Sequence, residues 1–479
     1  MGYIRYFAFL LLLLLFLLPN AFGSGFSFDG IGVKARGMGG AFRAIADDWS
    51  AAYYNPAGYY GIEDNYMAAN LAIFHNRYWA KPDVKWGGEY ETGFYNGQDI
   101  ANKHEVLNVP EFGAVARFPI KGEMVLGFSA MQIFDQNQSW NLCENPQAYS
   151  PAAFDASQYA INLDVVAFQL TAAKGFMNDK LHAGIGLSLL RGDLVFNNLV
   201  FRRNPLPSPF SDRPYEKIPE WYRTDGNGWG FGYRTGFIYK LSDKFNAALT
   251  YSGSASINIS GKSDFKFYMG KNSLLYAGLG TERYLFARGE VAGLKSDFET
   301  TLDLPGTIGG GLAFKLNDKL TMDLDAEMTF WSSFKGFDFA FSNFAGLKDT
   351  SFHNANDSLF KTNLSVPIDW SNAAKIMLGA DYKTGGNVDL RAGISFDQSP
   401  AKAATFIPQF IDLGDKLGLH FGAGIALGFW NLDFATSYTH QKDLNVTDMV
   451  IGDNDILDNI PANYRADNYQ TILGISYRF

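Results

Sequence analysis

The chain has 479 residues, 19% charged and 16% aromatic, with a net charge of -9. That balance disfavours a nucleic-acid partner. A single cysteine, Cys143, excludes an intrachain disulfide, and six scattered histidines (His75, His104, His182, His353, His420, His440) show no metal-ligand spacing.

In chain order, Arg5 precedes the apolar run Tyr6 to Leu18, followed by Pro19, Ala21 and Gly23. A basic start, a short apolar stretch and small residues read as a secretory signal peptide over 1–23, cleaved after Gly23. A helical membrane protein would show several apolar runs of about 20 residues; here the N-terminal run stands alone. Residues 24–62 do not alternate. They are rich in Gly, Ala and paired charges, which suits a compact plug inside a polar lumen.

From residue 63 to 479 the pattern changes to period two. Met322, Leu324, Ala326, Met328 and Phe330 face one way, and Thr321, Asp323, Asp325, Glu327 and Thr329 the other. Transmembrane strands are about 9–11 residues of such apolar-out, polar-in alternation. Fourteen are expected, near 65–74, 111–119, 124–134, 162–174, 181–191, 228–240, 244–257, 304–316, 319–331, 372–383, 388–397, 417–427, 430–440 and 469–479. Connections after the even strands are short, such as Ser242-Asp243, Asn317-Asp318 and Gly428-Phe429. Those after the odd strands are long. Tight periplasmic turns alternating with long outer loops are the requirement of an outer-membrane barrel. The expected fold is an all-β membrane protein, a fourteen-stranded antiparallel transmembrane β-barrel with an N-terminal hatch. Leu473, Ile475, Tyr477 and Phe479 alternate up to a terminal aromatic, the signal that the barrel assembly machinery reads.

Two motifs are decoys. Gly422 to Gly428 has the look of a dinucleotide fingerprint but lies inside a strand, with Phe421, Ala423, Ile425 and Leu427 facing lipid. Asp323, Asp325 and Glu327 face the lumen, as do Arg234, Lys375, Arg391 and Arg478, and mixed charges there read as a lining that holds a plug. No catalytic residue, metal ligand or cofactor motif stands out, so the chain is not expected to be an enzyme.

The run Ala35-Arg36-Gly37-Met38-Gly39-Gly40-Ala41-Phe42, with Ala46-Asp47-Asp48 and Tyr54-Asn55-Pro56-Ala57-Gly58, resembles the hatch of the FadL/TodX family of outer-membrane transporters for long-chain fatty acids and aromatic hydrocarbons. The likeness continues at Leu304-Pro305-Gly306-Thr307, Phe330-Trp331-Ser332-Ser333-Phe334 and Phe396-Asp397-Gln398-Ser399-Pro400. The resemblance implies passive transport: capture of a hydrophobic small molecule by outer loops, a pocket against the hatch, and lateral exit where a kinked strand breaks the wall. It implies a ligand role for Phe26 and Phe28, and a hatch turn at Asn55, Pro56 and Ala57. It places the wall kink in the third strand, where Gly127 is the expected weak point. The loop after strand seven supplies the expected outer groove, with Phe265, Phe267, Tyr268, Leu274, Leu275, Tyr276, Tyr284, Leu285 and Phe286. The loop after strand five adds Phe196, Leu199, Val200, Phe201 and Leu206. The expected partners are the apolar ligand, outer-membrane lipid and lipopolysaccharide, and the family implies a monomer. The alternative is a surface adhesin or recognition protein acting through the long loops.

Overall fold

Strand follows strand along the chain, and each pairs with its sequence neighbour. The computed structural model describes residues 25, 30–85, 93–103, 106–118, 123–144, 154, 157–204, 208, 211–270, 291–345, 363–452 and 456–479. Fourteen staves are found. They are β1 (Tyr66–Pro82), β2 (Leu107–Phe118), β3 (Met124–Trp140), β4 (Tyr159–Phe176), β5 (Leu181–Arg203) and β6 (Lys217–Ser242). Next come β7 (Phe245–Ser252, then Ala255–Tyr268), β8 (Val291–Leu304, then Thr307–Lys315), β9 (Leu320–Thr329, then Gly336–Ala345) and β10 (Leu364–Pro367, then Ala373–Lys383). The last are β11 (Val388–Asp397), β12 (Lys416–Leu427), β13 (Trp430–Gln441) and β14 (Ala462–Arg478). Pairing is antiparallel throughout. β14 returns to β1 from Tyr66↔Arg478 to Pro82↔Ala462, which closes the sheet. Closure satisfies the backbone where lipid offers no hydrogen bonds.

The outward faces carry exposed apolar side chains, among them Leu170, Leu187, Phe231, Leu249 and Phe421. Phe429, Trp430, Tyr477 and Phe479 gather at the rim that carries the short turns, as interfacial aromatics do.

Staves β7 to β10 are each interrupted once. The edges of the breaks, Ser252, Thr307, Thr329 and Ala373, are register partners in turn, so the interruptions line up across the wall. At β8 the break is Pro305-Gly306, and proline has no N–H to offer a ladder. Beyond the breaks the alternation inverts. Ser256, Asn258, Ser260, Lys262 and Asp264 point out, while Ile257, Ile259, Phe265 and Phe267 are buried inside. These arms stand above the lipid band, with water outside and an apolar lumen within.

Residues 30–62 lie inside the barrel. They form α1 (Val33–Gly37), α2 (Ala51–Tyr54) and a 3-10 turn (Pro56–Gly61). Buried carboxylates of the wall hold them. Glu111 of β2 accepts from the Gly32 N–H at 3.0 Å and from Arg36 Nη2 at 2.6 Å. Asp325 of β9 accepts from the N–H groups of Phe42 (2.8 Å) and Arg43 (2.9 Å), and Arg43 also pairs with Glu327. Lys34 reaches Asp47 at 2.7 Å and Asp381 at 3.5 Å. Asp325 and Glu327 thus bind the hatch, as does Asp323 through the Ala44 N–H (3.3 Å), whereas Lys375 pairs with Asp397 (3.9 Å) and Arg391 with Asp381 (3.4 Å) and Asp433 (2.6 Å), all on the wall. Arg478 sits at the exposed rim near Asp64 (3.9 Å), and Arg234 donates to the Tyr53 carbonyl of the hatch.

Candidate functional site: an aromatic chamber beside an open seam

The seam between β2 and β3 is short. Pairing runs from Phe118↔Met124 to Phe112↔Ala130 and stops there. Beyond it β2 continues along β1 to Leu107, and β3 continues along β4 to Trp140. Met131 to Trp140 and Leu107 to Glu111 therefore share no ladder. Just past this point β3 carries a β-bulge. Gln132 pairs with Val166 and Phe134 with Val165, so Ile133 is the extra residue. Bulges bend a strand and recur where pairing along one edge stops; the ladder with β4 runs on through this one. The inward Glu111, at the edge of the gap, is held by the hatch and by Asn70 Nδ2 (3.1 Å) instead.

The expected kink at Gly127 is not where the irregularity falls. Gly127 pairs regularly with Val115 and Thr171. Its missing side chain has another use: a Cβ there would lie 2.3 Å from the Tyr59 ring, so Gly127 is a socket for the hatch.

Behind the bulge is a cavity of ≈ 60 Å³. Met131, Ile133, Phe134 and Leu190 form its apolar side; Tyr53, Arg234 and Glu327 form its polar side. Above it stands a chamber of buried aromatics. Phe134 meets Trp331 (6.0 Å), and Trp331 meets Trp370 (5.0 Å) and Phe334 (6.3 Å). Phe196 packs on Phe339 (5.7 Å), and Phe265 on Phe341 (5.0 Å) and Phe267 (6.4 Å). These contacts are ring-on-ring across several staves, with edge-to-face geometry common among them.

The structure thus brings together residues expected in separate loops. Phe265, Phe267 and Tyr268 lie on β7 rather than in a loop, and Phe196, Leu199, Val200 and Phe201 lie on β5. The strands outrun their expected ends because an apolar-in, polar-out arm above the lipid reverses the cue. Phe265 and Phe267 line the chamber, whereas Tyr268 packs with Phe154 (4.8 Å) in a second outer cluster. Leu274, Leu275, Tyr276, Tyr284, Leu285 and Phe286 lie outside the described residues, as do Phe26, Phe28 and Leu206. Gly25 is described. Its φ is +56°, and a Cβ there would fall 2.5 Å from Trp331 and 2.7 Å from Trp370. Only glycine fits that slot, so Gly25 sits in the chamber against the two indoles. Trp331, Phe334, Trp370, Phe337 and Phe410 complete the chamber beyond the residues expected of it. Their signal was available in the clustered aromatics around Phe330-Trp331 and Phe337 to Phe341.

The hatch tripeptide acts as a pin. Asn55 Oδ1 accepts from the Ala57 N–H (3.1 Å), capping the turn that Pro56 begins. Asn55 Nδ2 donates to the carbonyls of Arg43 (3.0 Å) and Phe237 (3.2 Å). Under the hatch, on the short-turn side, lies a polar cavity of ≈ 460 Å³ that includes Lys34, Asp48, Arg391 and Asp433. Burial pushes the Asp48 carboxyl up to about 6, against the opposing bond from Ser50. Cys143 is buried, and burial raises its thiol well above the ordinary range, which makes it inert. Among the described residues no His, Cys, Asp and Glu grouping has the make-up of a metal site.

Residues 19–479 match the family described as outer membrane protein transport protein (OMPP1/FadL/TodX). The chain belongs to this family. It is 24% identical over 431 residues to the long-chain fatty acid transport protein of Salmonella typhi, covering 88% of each chain. It is 23% identical over 255 residues to a putative outer membrane protein of Neisseria meningitidis serogroup B, a match that spans 51% of that protein. Among solved structures, a FadL homologue from Pseudomonas aeruginosa aligns with a TM-score of 0.72 at 17% identity, over 95% of this chain and 100% of that one. The toluene transporter TodX of P. putida aligns at 0.69 and 15% identity, over 94% and 99%. The FadL/TodX fold is therefore that of this chain, its place is the outer membrane, and its family is one of transporters.

Proposed function

We propose that this protein passes hydrophobic small molecules, long-chain fatty acids or aromatic hydrocarbons, inward across the outer membrane without an energy source. The observation that carries this reading is the unpaired seam between β2 and β3 with a cavity directly behind its bulge. A ligand enters the aromatic chamber from the outer arms, descends to the cavity and leaves sideways beside Ile133. Lateral exit avoids a wet pore, where each exposed CH2 costs about 0.8 kcal/mol. The polar side of the cavity, with Arg234 and Tyr53, suits a carboxylate head; its apolar side suits a ring. Phe26 and Phe28, on the tail that Gly25 belongs to, are candidates to move as ligand passes. The protein works as one chain within lipid and lipopolysaccharide. Phe479, whose N–H bonds the Asn65 carbonyl, is the residue offered to the assembly machinery; its removal lowers the folded fraction on heat-shift gels.

The test is uptake of labelled oleate and labelled toluene by cells lacking their own hydrocarbon porin, with and without this protein. Gain for one alone identifies the ligand class. No gain for either, with the barrel folded in the membrane, overturns the transport reading in favour of surface recognition.

A further inference from the structure

The loop from 398 to 415 leaves β11 and returns to β12, yet its middle crosses the barrel mouth to the opposite wall. Trp140 Nε1 of β3 donates to the Pro408 carbonyl at 2.9 Å, and Gln136 Nε2 to that of Gln409 at 3.1 Å. The Gln409 side chain, fully buried, donates to the Asn197 carbonyl (3.0 Å) and to Asn198 Oδ1 (3.1 Å) on β5. Beside it, the Ile460 N–H bonds the Phe406 carbonyl at 3.1 Å, and Asn459 Nδ2 bonds the Ala403 carbonyl at 2.8 Å. Residues 403–413 are thus a strap over the lumen, tied across it by neutral hydrogen bonds. Such bonds are individually weak in net terms, because water offers the same groups partners when they open, so the strap is held by ties that can be exchanged.

Phe410 lies on the chamber side of this strap. Its ring is 6.0 Å from Phe334, 5.8 Å from Phe337 and 6.4 Å from Trp370. The box so formed has walls of Trp331, Phe334, Phe337 and Trp370, with Gly25 wedged against the two indoles. Every wall side chain is aromatic and uncharged. We propose that this box is a hydrocarbon site whose resident occupant is Phe410, and that the strap is the lid an incoming ligand must lift. The proposal rests on the transport reading. The site takes an uncharged apolar ring or an alkyl segment, because a charged head finds no opposite charge among these four walls. A phenyl ring supplied by the protein is the nearest likeness of such a ligand, and it sits on the strap, which side-chain hydrogen bonds tie to the far wall.

The experiment is a titration of the full chain in lipid nanodiscs with bromobenzene, a heavy-atom quencher of indole fluorescence. Wild type, Phe410→Ala and Phe410→Trp are compared, each shown folded by its heat shift on gels. A ring that fills the box about nine-tenths of the time weakens apparent affinity roughly tenfold. Phe410→Ala therefore tightens binding by up to that factor, and Phe410→Trp weakens it. Weaker or unchanged binding by Phe410→Ala overturns the proposal, because a wall residue loses affinity when truncated. If Phe410→Ala does not fold, Gln409→Ala, which frees the strap from Asn197 and Asn198 and leaves the aromatics intact, replaces it; tighter binding supports the lid and equal binding sinks it. Binding is read without transport, so a chain that fails to take up oleate and toluene and a box that Phe410 does not occupy give different results.

Discussion

Asp412, at the foot of the strap, is almost fully buried, and burial pushes its carboxyl up to about 6. Lys416, 3.0 Å away, pulls it down, and Asp397, itself near Lys375 at 3.9 Å, pushes it up. Ser399 caps the Asp412 carbonyl at 2.9 Å and sits beside Asp415. A carboxyl whose value is raised in the closed form binds its proton more tightly there than when the strap opens to water. The closed strap is therefore most favoured below the ordinary carboxylate value near 3.9 and loses that advantage as pH rises to about 6. Amide hydrogen exchange across 406–413, corrected for its intrinsic pH dependence, is expected to show stronger protection at pH 4.5 than at pH 7 (about these settings suffice to bracket the transition). In Asp412→Asn the difference disappears. Equal protection of the wild type at both values would count against Asp412 as the titrating group.

At the scale of elements, the bulge in β3 gives the sharpest prediction. Deleting Ile133 removes the extra residue, restores a straight register with β4 and lets β3 continue its ladder with β2. If the seam is the exit, uptake of whichever labelled ligand the wild type takes up falls by about tenfold or more while the heat shift of the barrel stays unchanged, since closing a required path costs at least about 1.4 kcal/mol of barrier. Undiminished uptake would place the exit elsewhere. Nothing in the sequence marked Ile133, because a bulge adds one residue and changes no composition; Gly127 drew attention instead, and its missing Cβ serves the Tyr59 ring. The membrane strands were legible because lipid on one side and charges on the other write a period of two, as in Thr321 to Phe330. The outer arms of β5 to β8 were not. Lys262 and Asp264 outside with Phe265 and Phe267 inside also alternate, but with the polar face outward, so the pattern read as loop. The chamber was half visible for the same reason: its aromatics were noticed at Phe265 and Phe267, and the partners that complete it come from staves far apart in sequence.

For the molecule as a whole, two kinds of interior meet at the hatch. Below the chamber the lumen is ionic, and the plug is locked by Arg36 to Glu111 (2.6 Å) and by Arg43 to Asp325 (3.3 Å) and Glu327, nearly all of them buried. Breaking a buried pair from one side is costly, about 3–5 kcal/mol, because the remaining charge is stranded. Above, the chamber is aromatic, and on the proposed route a ligand leaves sideways at the cavity where the two interiors meet. On that reading the hatch is the seal against water and ions, and the apolar route stays dry. Arg36→Ala combined with Arg43→Ala strands Glu111, Asp325 and Glu327 without their main counter-charges and loosens the plug. In planar bilayers this variant should conduct ions measurably more than the wild type, and in cells its hydrocarbon uptake should fall. The opposite signs are the diagnostic feature. A polar-solute pore would gain in both assays on losing its plug. A lateral route loses, because a hydrated lumen withdraws about 0.8 kcal/mol per CH2 from the ligand that must wait there. Hydrocarbon uptake that rises together with conductance would show that ligand moves down through the lumen and would overturn lateral exit.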